Sequence, residues 1–120
     1  MQAFTNDECA HPYSPAYDDN GTVYVSGALS VDDDGIAVAG RREALDAALR
    51  NLSKRLATVG LGLEHVVKTT YFATDVSLRD EANEQYAEVF ASPRPARSFV
   101  GVNNLPYGAI VEIEAVARRS

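Results

Sequence analysis

The sequence predicts an α+β domain with two helices packed on one face of a mixed sheet, and three observations predict it. First, residues 41 to 59 carry Leu45, Leu49, Leu52, Leu56 and Val59 at three- and four-residue spacing, with Gly60 just beyond, the stripe and stop of an amphipathic helix. Second, a shorter helical pattern runs from Ser77 towards Pro93, which a helix cannot cross. Third, the segments around these helices are short runs rich in β-branched and aromatic residues, the composition of strands. The 120 residues contain no repeat, linker or low-complexity tract, so residues 1 to 120 read as a single domain. A sheet covered on one face must bury the other somewhere, and self-association is the simplest answer.

In chain order, Gln2 to Thr5 reads as a possible first strand, followed by an irregular segment that closes at Asn20-Gly21, a turn signal. Tyr13 and Tyr17 stand four apart, but Pro12 and Pro15 exclude a regular helix between them. Thr22 to Ser26 reads as a strand ended by Gly27, where a close backbone approach is possible. Ser26 lacks the Gly-x-Ser-x-Gly elbow of a nucleophilic serine, and no triad is evident. Asp32-Asp33-Asp34-Gly35 has a calcium-loop look, but the twelfth position is Arg41 where a bidentate glutamate is required. A hairpin turn is expected instead, with Ile36 to Val38 as the returning strand.

Beyond the first helix, His65 to Thr74 is expected as a strand with Val67, Thr69 and Tyr71 on one face and Val66, Lys68, Thr70 and Phe72 on the other. Ser77 is expected to cap the second helix, whose buried stripe would be Leu78, Ala82, Tyr86, Val89 and Phe90. Asn83 borders that stripe and can face inward or solvent. Pro95 to Val100 reads as a strand opened by Arg97, and a guanidinium there needs an anionic partner because it keeps its charge when buried. In the last strand, Ala109 to Ala117, Val111, Ile113 and Ala115 share one face while Glu112 and Glu114 share the other. If those two strands are neighbours, Arg97 meets a glutamate across them. The residues alone leave open whether this is a solvated ion pair or an anion pocket.

Composition narrows the function classes. A net charge of −6 with scattered Lys and Arg argues against a nucleic-acid partner, since phosphate binding depends on clustered cations. No apolar run approaches the ~20 residues of a membrane helix. The first residues lack the basic start and apolar stretch of a secretory signal, and the single cysteine, Cys9, suits a reducing compartment, so a cytoplasmic location is expected. Cys9, His11 and the distant His65 make a weak metal set, and no metal is expected.

The run Pro95-Ala96-Arg97-Ser98, followed by Leu105-Pro106 and by Val111-Glu112-Ile113-Glu114-Ala115, resembles the C-terminal signature of the Rid (YjgF-like) family of reactive-intermediate imine/enamine deaminases. Pro12-Tyr13-Ser14, Val25-Ser26-Gly27, Val66 to Thr70 and Asn83 to Glu88 agree in order and spacing, so the resemblance spans about residues 12 to 118. It implies a chorismate-mutase-like (YjgF-like) fold and a homotrimer with ligand sites in the clefts between subunits.

The resemblance also implies an activity: hydrolytic deamination of 2-imino and 2-enamino acids to 2-keto acids and ammonia, with no cofactor. Arg97 falls on the position that holds the substrate carboxylate and Glu112 on the one beside the attacking water. Tyr13, Ser26, Asn83 and Phe99 fall on the remaining pocket positions, Phe99 through its backbone N–H. Four positions depart from the pattern. Pro15 and Ala28 stand where the family commonly has glutamine, Phe99 where it has cysteine, and Gly101 where it has glutamate. A phenyl ring beside Arg97 is expected to reshape the pocket. The alternative is a non-catalytic trimer that binds small carboxylates such as 2-keto acids in a regulatory role. An endoribonuclease or a chorismate mutase fits poorly with the acidic balance and the lack of a basic cluster.

Overall fold

The computed structural model describes residues 11–120. The expected first strand near Gln2 and the residue Cys9 lie outside the described residues. Five strands form one sheet in the order β1-β2-β5-β3-β4. They are β1 (Ala16–Asp19), β2 (Thr22–Leu29), β3 (Val66–Ala73), β4 (Ala96–Gly101) and β5 (Val111–Arg118). The β3–β4 pair is parallel and the other pairs are antiparallel. Helix α1 (Arg41–Ala57) packs on β2 and β5, while α2 (Arg79–Val89) packs on α1 and provides the crossover between the parallel strands.

The α1 stripe is buried as its spacing requires. Leu45, Leu49, Leu52 and Leu56 join Val23, Val25, Tyr71, Val111, Ile113 and Ala115 in one core, with Val59 at its edge. The helix stops at Ala57, two residues before the expected end. Gly60, at φ +78, lets the chain turn back so that Leu61 N–H donates to Leu56 O at 3.1 Å.

The alternation of β5 holds throughout: Val111, Ile113, Ala115 and Ala117 are buried, while Glu112, Glu114, Val116 and Arg118 are at least partly open. The second face of the sheet therefore carries a mixture of charged and apolar side chains.

Several expectations need correction. β1 pairs with β2 through the Asn20-Gly21 turn and was not foreseen, since Ala16-Tyr17-Asp18-Asp19 has little strand character. Gly27 does not end β2, which continues to Leu29 through a bulge. Val25 pairs with Ala115 and Ala28 with Ile113, so Ser26 and Gly27 together oppose Glu114. Ile36 to Val38 forms no strand. The Asp32 turn closes as expected, with Gly35 N–H donating to Asp32 O, but only Val31 and Ala37 pair beyond it.

In β3 a register shift between Val66 and Lys68 reverses the alternation. Val66 is buried, Val67 is exposed, and Thr69, Tyr71 and Ala73 then face the core. The cap of the second helical segment is Asp75, whose carboxylate accepts from Ser77 N–H at 2.9 Å, and a single 3₁₀ turn at Val76–Leu78 precedes α2. Val89 is exposed, and Gln85 takes a fully buried place on the inner face. Gln85 is tolerated there because it accepts from Tyr71 OH and donates to Asp46, both at 2.9 Å.

Candidate functional site

The positions singled out by sequence fall into two groups on opposite faces of the sheet. β3 lies between β4 and β5, so the two strands are not neighbours and the condition for a direct contact between Arg97 and a β5 glutamate is not met. Arg97 is in register with Thr69, and Thr69 with Ala115; both neighbours are buried under the helices. Glu112 is an odd number of residues from Ala115 and points to the other side.

The first group centres on Arg97. Its guanidinium lies over three rings, with the carbon 4.9 Å from the Tyr86 centroid, 5.3 Å from Tyr71 and 5.5 Å from Phe99. Cation–π attraction at such sites contributes about 0.5–2 kcal/mol, rising with desolvation. Nη2 donates to Asn83 Oδ1 at 2.5 Å. Asn83 is an exposed residue, yet its side chain is engaged by Arg97 rather than left to solvent. Nη1 is buried with no acceptor among the described residues. The rings are themselves fixed: Tyr86 OH and Thr69 Oγ1 share a hydrogen bond of 2.6 Å, and Tyr71 OH is held by Gln85. Burial pushes the phenols of Tyr71 and Tyr86 above the ordinary tyrosine value, so both remain neutral hydrogen-bonding groups. Arg97 is thus held in place with donor capacity to spare.

Phe99 does not fill the space in front of Arg97. Its ring stacks on Tyr71, with centroids 5.9 Å apart and planes at 27°, because Phe99 and Tyr71 are adjacent in the parallel pair. An open depression of about 350 Å³ remains, lined by Asn83, Tyr86, Ala87, Arg94 and Arg97.

The second group surrounds Glu112. Its carboxylate lies against the bulge, where a Cβ on Gly27 would come within 2.6 Å of Oε2. A glycine is required there for the carboxylate to lie flat on the strand. Burial, reinforced by Glu114, pushes the Glu112 carboxyl above its ordinary value of 4.5, and Arg55 partly offsets this. Ser26 belongs to the same bulge: its hydroxyl donates to Ser14 O at 2.6 Å and its N–H to Pro15 O at 3.0 Å. These bonds fasten the segment that carries Tyr13, whose half-exposed ring stacks on His11 at 5.0 Å and lies 5.8 Å from the Arg55 guanidinium carbon. Arg55 is therefore common to the surroundings of Tyr13 and Glu112.

Sequence reasoning missed the second role of Tyr71 and Tyr86, which periodicity marked only as face and core positions. It also missed Arg94, which has no pattern around it beyond its two flanking prolines. Among the described residues no three His, Cys, Asp or Glu side chains come together in a way that could hold a metal. No helix among them is long and apolar enough to cross a membrane.

Residues 5–119 match the family described as Endoribonuclease L-PSP. The chain is 39% identical over 109 residues to a RutC family protein of Aquifex aeolicus, covering 88% of this chain and 87% of the relative. It is 37% identical over 108 residues to the human protein named 2-iminobutanoate/2-iminopropanoate deaminase, covering 88% and 79% respectively. Among solved structures it resembles RidA from an Antarctic Psychrobacter, with a TM-score of 0.83, 32% identity, and coverage of 90% and 89%. With these matches across nearly its whole length and the same two-helix, five-strand fold, the chain belongs to the Rid (YjgF-like) family, the family also described as Endoribonuclease L-PSP or RutC.

Proposed function

We propose that the protein hydrolyses reactive 2-imino and 2-enamino acids to 2-keto acids and ammonia. The observation that carries this reading is Arg97: a guanidinium lying over three rings, tied to Asn83, and lining an open depression with no carboxylate beside it. A planar guanidinium grips a carboxylate through parallel hydrogen bonds and fixes the orientation of a small substrate. The kinship with proteins named as imine deaminases supplies the reaction class.

Glu112 positions and activates the water. Its raised pKa makes it a better proton acceptor than an ordinary carboxylate, and its charge favours the iminium over the neutral imine. Water adds to the C=N carbon to give a carbinolamine. That intermediate expels ammonia as the C=O bond forms, so atoms balance without a cofactor. Ser26 contributes a hydrogen-bonding group, Tyr13 and Asn83 form polar walls, and the Phe99 backbone N–H assists Arg97 in holding the carboxylate.

Because Arg97 and Glu112 face opposite sides of one sheet, the reacting centre is completed between chains. Arg97, Asn83 and Phe99 of one subunit meet Glu112, Ser26 and Tyr13 of a neighbour in each cleft of a homotrimer. Partly exposed Tyr24, Val67 and Val100 on the uncovered face or edge of the sheet are then buried by association.

The test generates enamines in place with a serine or threonine dehydratase, or imines with an amino-acid oxidase, and follows ammonia and 2-keto acid. Wild type is expected to exceed the spontaneous rate, and Arg97→Ala to lose roughly a hundredfold or more in kcat/KM. No acceleration by a folded oligomer with any donor overturns the deaminase. Retained 2-keto acid binding without turnover would then assign the non-catalytic, regulatory role.

A further inference from the structure

The depression beside α2 contains two arginines, although the chain as a whole carries a net charge of −6. Arg41, Arg42, Lys54 and Arg119 each spend their charge on a carboxylate within 4.0 Å. Neither Arg94 nor Arg97 has such a partner among the described residues, and no acidic side chain lines the depression. Arg94 donates from Nη2 to the carbonyl of Ala87 at 3.3 Å, a long contact that leaves most of its five N–H groups available.

Their placement is ordered along α2. Arg97 is tied to Asn83, and Arg94 to Ala87, one helical turn further on. Four residues of helix advance about 6 Å along the axis, so the two arginines are tied to helix positions offset by about the length of a short-chain diacid. Pro93 and Pro95 flank Arg94. Pro95 confines the Arg94 backbone to extended conformations, which holds the residue at the rim and lowers the entropy lost when a ligand engages it.

We propose that this depression is a two-carboxylate site, in which Arg97 takes the carboxylate next to the imine and Arg94 takes a second carboxylate at the far end of the substrate. The preferred substrates are then short-chain 2-imino diacids, formed when the amino group of an acidic amino acid is oxidised. This specificity rests on the deaminase reading above. The reaction is unchanged: water adds to the imine carbon, ammonia leaves, and the distal carboxylate is carried through intact into a 2-keto diacid. Inward packing of Phe99 against Tyr71 leaves the depression free for the longer substrate.

The stable keto products serve as probes. Calorimetric titration at fixed low salt compares 2-oxoglutarate with 2-oxobutanoate for wild type, Arg94→Ala, Arg94→Lys and Arg97→Ala, with sedimentation run on each. Wild type is expected to bind 2-oxoglutarate roughly tenfold more tightly than 2-oxobutanoate. Arg94→Ala should abolish that preference while keeping 2-oxobutanoate affinity, and Arg94→Lys should restore part of it. Equal wild-type affinities, or equal weakening of both probes by Arg94→Ala, overturn the second carboxylate site. A change of assembly state in Arg94→Ala does so too, by placing Arg94 in a subunit contact. Arg97→Ala should lose both probes; if it retains both, the carboxylate role of Arg97 itself fails. If Arg97→Ala loses both probes while Arg94→Ala leaves the preference for 2-oxoglutarate intact, only the role of Arg94 fails. Absence of binding to any form overturns both.

Discussion

The two faces of the sheet follow different rules. On the face under the helices, Tyr71, Ile113 and Thr69 are fully excluded from solvent, and their polar atoms are paired within the chain. Thr69 shares a hydrogen bond with Tyr86, Tyr71 is held by Gln85, and Ser30 Oγ accepts from the N–H groups of Ile110 and Val111. That face is closed except around Arg97, whose Nη1 is left without a partner among the described residues. The opposite face alternates Glu112 and Glu114 with Val116 on β5, beside Lys68, Thr70 and Phe72 on β3, and leaves Tyr24 and Val67 about half exposed. It is too apolar to be an ordinary solvated surface and too charged to be a core. Arg97 is anchored by the first face and Glu112 is carried by the second. The difference teaches that chain stability and the proposed catalysis are largely assigned to separate sides of the same strands.

Ile113 and Val116 test this most directly, since they lie three residues apart on β5 and face opposite ways. Ile113→Ala opens a cavity where no neighbour can relax freely, and is expected to cost about 2–5 kcal/mol. Denaturant unfolding at fixed protein concentration reads this loss, and the concentration is held because the proposed association would contribute to apparent stability. A loss well under 1 kcal/mol would mean the covered face is not the dominant core. Val116→Asp should act differently, placing a charge where association has to remove it from water. Its fold should persist by circular dichroism while assembly weakens tenfold or more, about 1.4 kcal/mol, in sedimentation. Deaminase activity should fall in step, because Arg97 and Glu112 no longer meet. A Val116→Asp protein that remains associated and active would remove the open face from the interface.

Local regularities made the helices and the last strand legible. The leucine spacing of α1 and the strict alternation of β5 each rest on a single repeating period, and both survive folding with only end corrections. Expectations failed where an extra residue enters a strand. The register shift after Val66 and the bulge at Ser26-Gly27 depend on what the partner strand presents, and no local pattern encodes that. Strand order was equally hidden: a chain that reads β4 then β5 gives no sign that β3 separates them. For the same reason Arg97 and Glu112 could be identified as residues of interest while their relation to each other stayed conditional on an adjacency that does not occur. Gln85 has no place in the expected buried stripe because its burial depends on two distant partners, Tyr71 and Asp46.

The smallest expected effect concerns the charge on the open face. Glu112 has a pKa raised by burial, so the folded chain holds this proton more tightly than the unfolded chain does. Its contribution is most favourable below the ordinary glutamate value of 4.5 and is lost as pH rises through the raised folded value. At neutral pH the folded protein therefore keeps a half-buried charge at a cost. Glu112→Gln removes that cost, so its stability relative to wild type should increase from acidic to neutral pH. The comparison has to be made as a difference between the two proteins. Asp18, Asp33, Asp75, Glu81 and Glu88 are all lowered by hydrogen bonds or ion pairs, and these carboxylates make both proteins less stable as pH falls. Paired denaturant melts across that pH range should show the Glu112→Gln advantage present at neutral pH and absent in acid, alongside loss of deaminase turnover. A stability difference that stays flat with pH would show that Glu112 titrates as a solvated surface group, and the reason for assigning it the water would go with it.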